Sequence, residues 1–460
     1  MIILRNFLYI VSVFYVIYLV VYAVYSFTAV ALGAYKMYVG DRMLRLRNRF
    51  LHDDMPISII VPAYNESVTI VSSVKSLLSL DYQQFEIIVV DDGSKDDTAE
   101  QLIVEFGLKQ INRPINRMLL CQKERTVYES TDHGAKITLI CKENGGKGDA
   151  LNMGINACRF PYFICMDADS KLQKDSLKEI VQPVFEDDSI VAVGGMVIIS
   201  QCVRMKSGRA TDYSLPRSIM VCLQAVEYVR SFMASRILMD EFNGNLIISG
   251  AFGLFKKSTV VAAGGYNPDN LGEDMELVMK LHGFCRNNNI KYRMRYQPRA
   301  LCMTQAPTRF SDLRGQRRRW HLGLFQSMHT HRRFMFNRRF GLISFFSYLY
   351  YLAYELLAPF IEIFGVFTIL LAMHFGLLHT GYMIMFFALY AVFGGVLSLA
   401  AFSQHIYTQR LRISAWDMLK ALLLCILEFG FFRYVLVVVR SMAFMRYGKK
   451  RAVWGEIKRV

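Results

Sequence analysis

From Phe7 to Tyr35 the chain carries no charged side chain. A helix of that length exceeds the ~30 Å hydrocarbon core of a bilayer, so the segment reads as a membrane span. It is too long for the core of a cleaved signal peptide, and the basic run after it (Lys36, Arg42, Arg45, Arg47 and Arg49) marks an uncleaved anchor. Positive charge gathers on the cytoplasmic side of spans, which puts the N-terminus outside and residue 50 onward in the cytoplasm. Tyr15, Tyr18, Tyr22 and Tyr25 share one arc of this helix. They read either as a packing seam or as a hydroxyl-lined wall for a polar chain.

A second apolar region begins near Phe340. Glu355, Pro359 and Glu362 interrupt it, separating an interfacial helix from a span over about Tyr351 to His374. Gly381 to Phe402 is an uninterrupted span, with Arg410 and Arg412 following on the cytoplasmic side. Trp416 to Arg440 contains Asp417, Lys420, Glu428, Arg433 and Arg440, charges that are costly at bilayer depth. An interfacial or re-entrant course is expected there, with a cytoplasmic C-terminus. The expected setting is a multi-pass protein of the cell (plasma) membrane.

The net charge of +16 would suit nucleic acid, but its carriers crowd beside the apolar blocks, as Arg332, Arg333, Arg338 and Arg339 do before the second. That arrangement points to a lipid bilayer as partner and away from nucleic acid. Nine cysteines without C-x-x-C spacing read as reduced or buried thiols.

Between the helical segments 1–50 and 337–460, residues 51–336 have the composition of an α/β domain. Four short apolar runs (ISIIVPAY, FEIIVVDD, KITLICKE and YFICMDAD) each lead into a loop and a helix-like segment, predicting a parallel sheet with functional loops at the strand C-termini. Residues 107–136 are basic and read as an irregular surface insertion.

The chemistry-bearing residues follow those strands in order. VPAYNES exposes Tyr64 and Glu66 at a turn where a nucleoside can rest. VDDGS offers Asp91 and Asp92 as acceptors for a base and a ribose. NGGKGDALN is a glycine-rich loop opening a helix, where backbone N–H groups and Lys147 favour a diphosphate. MDADS supplies Asp167 and Asp169, hard oxygen donors suited to Mg²⁺ or Mn²⁺. LGEDMEL places Asp274 before a helix, as a general base or as helix N-terminal charge. GQRRRW brings Gln316, Arg319 for phosphate oxygens and Trp320 for the apolar face of a sugar ring; Arg317 and Arg318 fit a juxtamembrane basic patch. Taken together, the set matches what glycosyl transfer from a nucleotide sugar requires.

The series VPAYNE, VDDGS, NGGKGDALN, DAD, GAFGLF, GEDMEL and QRRRW, over residues 57 to about 325, resembles the processive family-2 glycosyltransferases. That group makes cellulose, chitin, hyaluronan and poly-N-acetylglucosamine. The resemblance implies a GT-A (nucleotide-diphospho-sugar transferase) domain inserted between transmembrane and interfacial helices, and an inverting reaction giving a β-linkage. It implies that Tyr64 and Asp92 hold the base, Asp169 the metal with Asp167 in support, and that Asp274 is the base. Gln316, Arg319 and Trp320 would hold the diphosphate and the acceptor terminus. The acceptor loop, Gly250, Ala251 and Phe252, departs from the F-F-C-G-S of cellulose synthases, which leaves the sugar open between UDP-glucose and UDP-N-acetylglucosamine. A growing glycan acceptor would leave through the membrane helices, joined by a second protomer if the spans of one chain do not complete a pore. Two alternatives share the donor motifs: a non-processive transferase adding one sugar to a lipid carrier, and an inactive membrane scaffold or transporter.

Overall fold

The computed structural model describes residues 2–47, 55–130 and 134–445. The main sheet uses β1 (Ile57–Ala63), β2 (Phe85–Asp91), β3 (Lys109–Ile111), β4 (Glu124–Ser130), β5 (Lys136–Lys142), β6 (Tyr162–Cys165), β7 (Lys171–Leu172) and β8 (Ile190–Ile199). A small sheet contains β9 (Val203–Lys206) and β10 (Arg209–Tyr213), and β11 (Gly253–Lys256) and β12 (Arg293–Thr304) return to the main one. Among the described residues the main sheet has ten strands in the order β3-β4-β5-β2-β1-β6-β11-β8-β12-β7. Its centre is parallel, with β1 pairing β2 and β6, and β2 pairing β5. Every residue of β1 and of β8 is buried, because helices cover both faces and a half-polar strand would strand its polar side chains there. Alternate residues feed opposite cores: Ile57, Ile59 and Val61 pack on one face of the sheet, Ile60, Ile88 and Val90 on the other.

Part of the expected irregular insertion is regular strand. Within it, β3 and β4 pair antiparallel and β4 pairs β5, so the segment extends the sheet edge. Its polar-apolar alternation (ERTVYES) suits an edge with one wet face, a weaker signal than the buried runs beside it.

The N-terminal helix runs from Ile2 to Arg47, longer than its uncharged stretch, and its apolar side chains between Ile2 and Phe27 are largely exposed. Among the described residues three helices are long and apolar enough to cross a membrane: Ile2–Gly40, Thr380–Thr408 and Ala415–Phe444. A bent pair, Ile343–Leu356 and Ala358–His374, turns by 51° at a break next to Pro359. The break falls after Glu355, some residues later than the sequence reading placed the start of the span. Past the Thr380–Thr408 helix, β13 (Arg412–Ile413) joins the small sheet beside β10, tying that helix to the α/β domain.

The last helix is bound to the α/β domain along its length. Asp417 accepts from the Leu215 amide at 3.4 Å, Glu428 pairs with Arg230 at 2.9 Å, and the Met445 carbonyl accepts from Arg318 at 3.4 Å. The tyrosines of the N-terminal helix pack against the bent pair: Tyr18 stacks on Tyr354 at 4.6 Å and Tyr25 on Tyr350 at 4.3 Å.

Candidate active site

β1 and β6 are parallel neighbours, so their C-terminal loops emerge at the same sheet edge, where open α/β sheets leave a crevice. From β1 come Tyr64 and Glu66, from β6 Asp167 and Asp169. A cleft of about 1990 Å³ runs from this edge to the long apolar helices. Tyr64, Glu66, Lys147, Asp167, Asp169, Gly250, Ala251, Asp274, Gln316, Arg319 and Trp320 all line it. Ordinary small-molecule pockets reach about 1,000 Å³, so this one has room for two ligands end to end.

Lys147 links the two sides of the floor. Its ammonium lies 2.7 Å from Asp167 and 3.0 Å from Glu273. Burial alone would lower its pKa, but the two carboxylates outweigh that and hold the group charged, well above the usual lysine range. Asp274 follows Glu273 in the first turn of the Glu273–Asn287 helix. One of its carboxylate oxygens accepts from the Gly250 amide at 3.2 Å and the other from the Met275 amide at 2.8 Å. Burial and the neighbouring Glu273 charge push it up to about 6, against the pull of Lys147 and the two amides. A carboxylate in that range is ionised at neutral pH yet basic enough to take a proton.

Opposite lies the Phe310–Thr330 helix, which carries Gln316, Arg319 and Trp320. Its distance from Asp274 is set by a backbone-to-backbone contact. A Cβ added to Gly323 would sit 2.5 Å from the Gly272 nitrogen, and one added to Gly272 would sit 3.0 Å from Gly323. Arg319 makes no ion pair among the described residues, leaving its fork available to the cleft. Trp320 is 40% exposed.

Several sequence expectations are corrected by the geometry. Asp91 and Asp92 do not line the cleft and are 5% and 0% exposed. Asp92 is bonded to the Lys142 ammonium and accepts from the amides of Gly145 at 3.0 Å and Gly146 at 2.8 Å. Its carboxylate therefore shapes the glycine loop and is not presented to a base, and those two amides face Asp92 where a phosphate was expected. Gly146 adopts φ +90° at this turn, a conformation open to glycine. Phe252 is fully buried, packed where a Cβ on Gly195 would meet its ring at 2.2 Å, so the acceptor loop reaches the cleft through Gly250 and Ala251 alone. Arg317 is 3% exposed and forks onto Glu227 at 2.8 and 2.6 Å, which removes it from any lipid-facing patch.

Glu227, Glu273 and Tyr228 also line the cleft and were not singled out in the sequence. Glu273 was within reach as the middle residue of G-E-D. Glu227 and Tyr228 lie in a helix with no motif around them.

Among the described residues no group of three His, Cys, Asp or Glu side chains could enclose a metal ion. Asp167 and Asp169 are both part-exposed oxygen donors on the cleft wall, and a pair of carboxylates suits an ion that keeps waters and takes its remaining ligands from a diphosphate. The donor set thus fits Mg²⁺ or Mn²⁺.

A mixed sheet with acidic residues at its central strand ends, beside a cleft for two ligands, defines a GT-A nucleotide-diphospho-sugar transferase. Comparison with known proteins agrees. The mannosyltransferase PcManGT from Pyrobaculum calidifontis, solved in complex with GDP-Man and Mn2+, superposes with a TM-score of 0.52 at 19% identity, covering 85% of this chain and 99% of that one. Residues 58–119 match "Glycosyl transferase family 2" and residues 121–323 match "Glycosyltransferase like family 2". The chain belongs to the family-2 glycosyltransferases. Poly-beta-1,6-N-acetyl-D-glucosamine synthases are among its relatives. That of Staphylococcus epidermidis is 31% identical over 322 residues, 69% of this chain and 65% of that protein. That of Staphylococcus aureus (strain COL) is 31% identical over 270 residues, 58% of this chain. The chain spans about half, 54%, of the length of the latter.

Proposed function

We propose that the protein transfers sugar from UDP-N-acetylglucosamine to the non-reducing end of a growing β-linked polysaccharide, with inversion, on the cytoplasmic side of the cell membrane. The observation that carries this reading is Asp274, raised to about 6, sharing one cleft with the Asp167–Asp169 pair and Trp320. The names of the relatives favour N-acetylglucosamine over glucose as the transferred sugar.

Asp274, oriented by the Gly250 and Met275 amides, takes the proton from the acceptor hydroxyl as that oxygen attacks the anomeric carbon. The bond from that carbon to the diphosphate oxygen breaks on the opposite face, and UDP leaves with the electron pair. Lys147 and Arg319 offset charge on the departing diphosphate, Gln316 hydrogen-bonds it, and Tyr64 with Glu66 flanks the nucleoside. Mg²⁺ or Mn²⁺ held by Asp169 and Asp167 supplies further charge stabilisation to the leaving group when bound. Trp320 is the shelf on which the terminal sugar stacks.

The product leaves along the same cleft, whose far end is lined by Tyr22, Tyr354, Glu362 and Arg433 between the membrane helices. The last helix, tied to the α/β domain near both ends and at its middle, lies along the bilayer surface in this reading.

Purified protein in lipid nanodiscs, given UDP-N-acetylglucosamine or UDP-glucose with Mg²⁺ or Mn²⁺, tests the assignment. The expected product is a long N-acetylglucosamine polymer cut by a linkage-specific hydrolase. A single added sugar would overturn polymerisation, and preference for UDP-glucose would overturn the donor.

A further inference from the structure

Arg317 occupies a place in the cleft that the motif residues around it do not explain. It is 3% exposed, and both terminal nitrogens are engaged by the Glu227 carboxylate at 2.8 and 2.6 Å. Its Nε is buried without a hydrogen-bond partner among the described residues. The guanidinium carbon lies 4.7 Å from the centre of the Trp320 ring, over its face. Glu227 is approached as well by Arg440 at 3.7 Å, which also lies 3.6 Å from Glu355. The Tyr228 ring, 6.2 Å away and tilted by 47°, flanks the same indole.

We propose that Arg317 and Glu227 are positioning residues for the acceptor, acting through Trp320. The planar guanidinium, locked by its fork, covers one face of the indole and leaves the other for the terminal sugar. A free indole could turn and offer either face, and the acceptor hydroxyl would then meet Asp274 in only a fraction of encounters. A covered indole presents one face in one orientation. Lysine in place of Arg317 would keep the charge but lose both the two-point grip on Glu227 and the flat stacking surface. This inference rests on the reading of Trp320 as the acceptor shelf.

The test uses full-length protein in nanodiscs carrying Arg317→Lys, or Glu227→Gln with Arg317→Met. The double variant removes both buried charges together, a change that buried ion pairs often tolerate, and thermal unfolding checks its fold. Trp320→Ala serves as the reference. The chain has three tryptophans, so Trp416→Phe with Trp454→Phe leaves Trp320 as the single tryptophan, excited selectively over the tyrosines at the red edge of the absorption band. With a short N-acetylglucosamine oligosaccharide as acceptor, both variants are expected to raise acceptor KM about tenfold, the scale of losing a desolvated cation–π contact, with donor KM changing less than about twofold. Acrylamide should quench Trp320 with a steeper slope. Unchanged acceptor KM and unchanged quenching in the Arg317 variants, while Trp320→Ala raises acceptor KM, would overturn the positioning role. If Trp320→Ala leaves acceptor KM unchanged, the shelf itself is wrong and the positioning role falls with it.

Discussion

The two walls of the cleft are built differently. One, the donor wall under the proposed function, stands on strand ends: Tyr64 and Glu66 after β1, Asp167 and Asp169 after β6, and Lys147 at the start of the helix following the glycine loop. Each residue is placed by backbone geometry within a few positions of a buried strand. The other, the acceptor wall under the proposal for Trp320, is one long helix, Phe310–Thr330, which also bears Gln316 and Arg319 and whose place depends on partners distant in sequence. Gly323 touches Gly272, Arg317 grips Glu227, and Arg318 donates to Met445 on the last helix. A wall of the first kind holds its shape when one side chain changes. A wall of the second kind moves as a body when one contact is lost.

Asp274, at the junction of the two walls, should show the largest effect. Asp274→Asn is expected to lower turnover by about 10²–10⁴-fold, the range lost with a general base, while UDP affinity by calorimetry stays near wild type. Normal turnover would take Asp274 out of the base role.

Next in size is a break inside the donor wall. Asp92→Ala leaves the fully buried Lys142 with Asp149 as its remaining acidic partner, at 2.6 Å. Removing one member of such a cluster costs about 3–5 kcal/mol, so unfolding in detergent should occur at markedly lower temperature. An unchanged unfolding temperature together with lost UDP binding would return Asp92 to direct base contact.

Gly323→Ala addresses the acceptor wall. The added methyl meets Gly272 backbone at 2.5 Å, and relief requires the whole helix to shift. Overpacking of this kind costs about 1–3 kcal/mol, with kcat falling and both donor and acceptor KM rising, since the helix bears Gln316 and Arg319 as well as Trp320. Unchanged kcat and KM would show that the helix absorbs the methyl without moving.

The smallest effect is the acid limb of the pH profile. Asp274 must be ionised to accept a proton, and with its pKa near 6 the rate should fall as pH drops through that value, by about tenfold per unit below it. Asp274→Glu should shift the limb, and a limb that stays in place would assign it to another group.

The same contrast governs how much could be read beforehand. The parallel strands were legible because a doubly covered strand must be apolar throughout, and ISIIVPA has no place outside such a core. The shared place of Lys147, Asp167 and Asp274 in one cleft was legible because each stands at or just beyond the end of a strand or the start of a helix. Asp92 and Phe252 were misplaced because a motif records that a residue type is required without recording which way it points. The amides of Gly145 and Gly146 turn toward Asp92, and the Phe252 ring fills the space left by Gly195.

Composition and strand pattern alone determined that this chain combines bilayer-length apolar helices with an α/β domain bearing a nucleotide-sugar motif set. Those features are local, since hydropathy and strand-end chemistry act over a few residues. Tertiary structure decided that Arg317 is buried beneath Trp320, that Glu227 anchors it, and that Gly323 meets Gly272. Such contacts join segments tens of residues apart, and desolvation selects them only once the helices have packed.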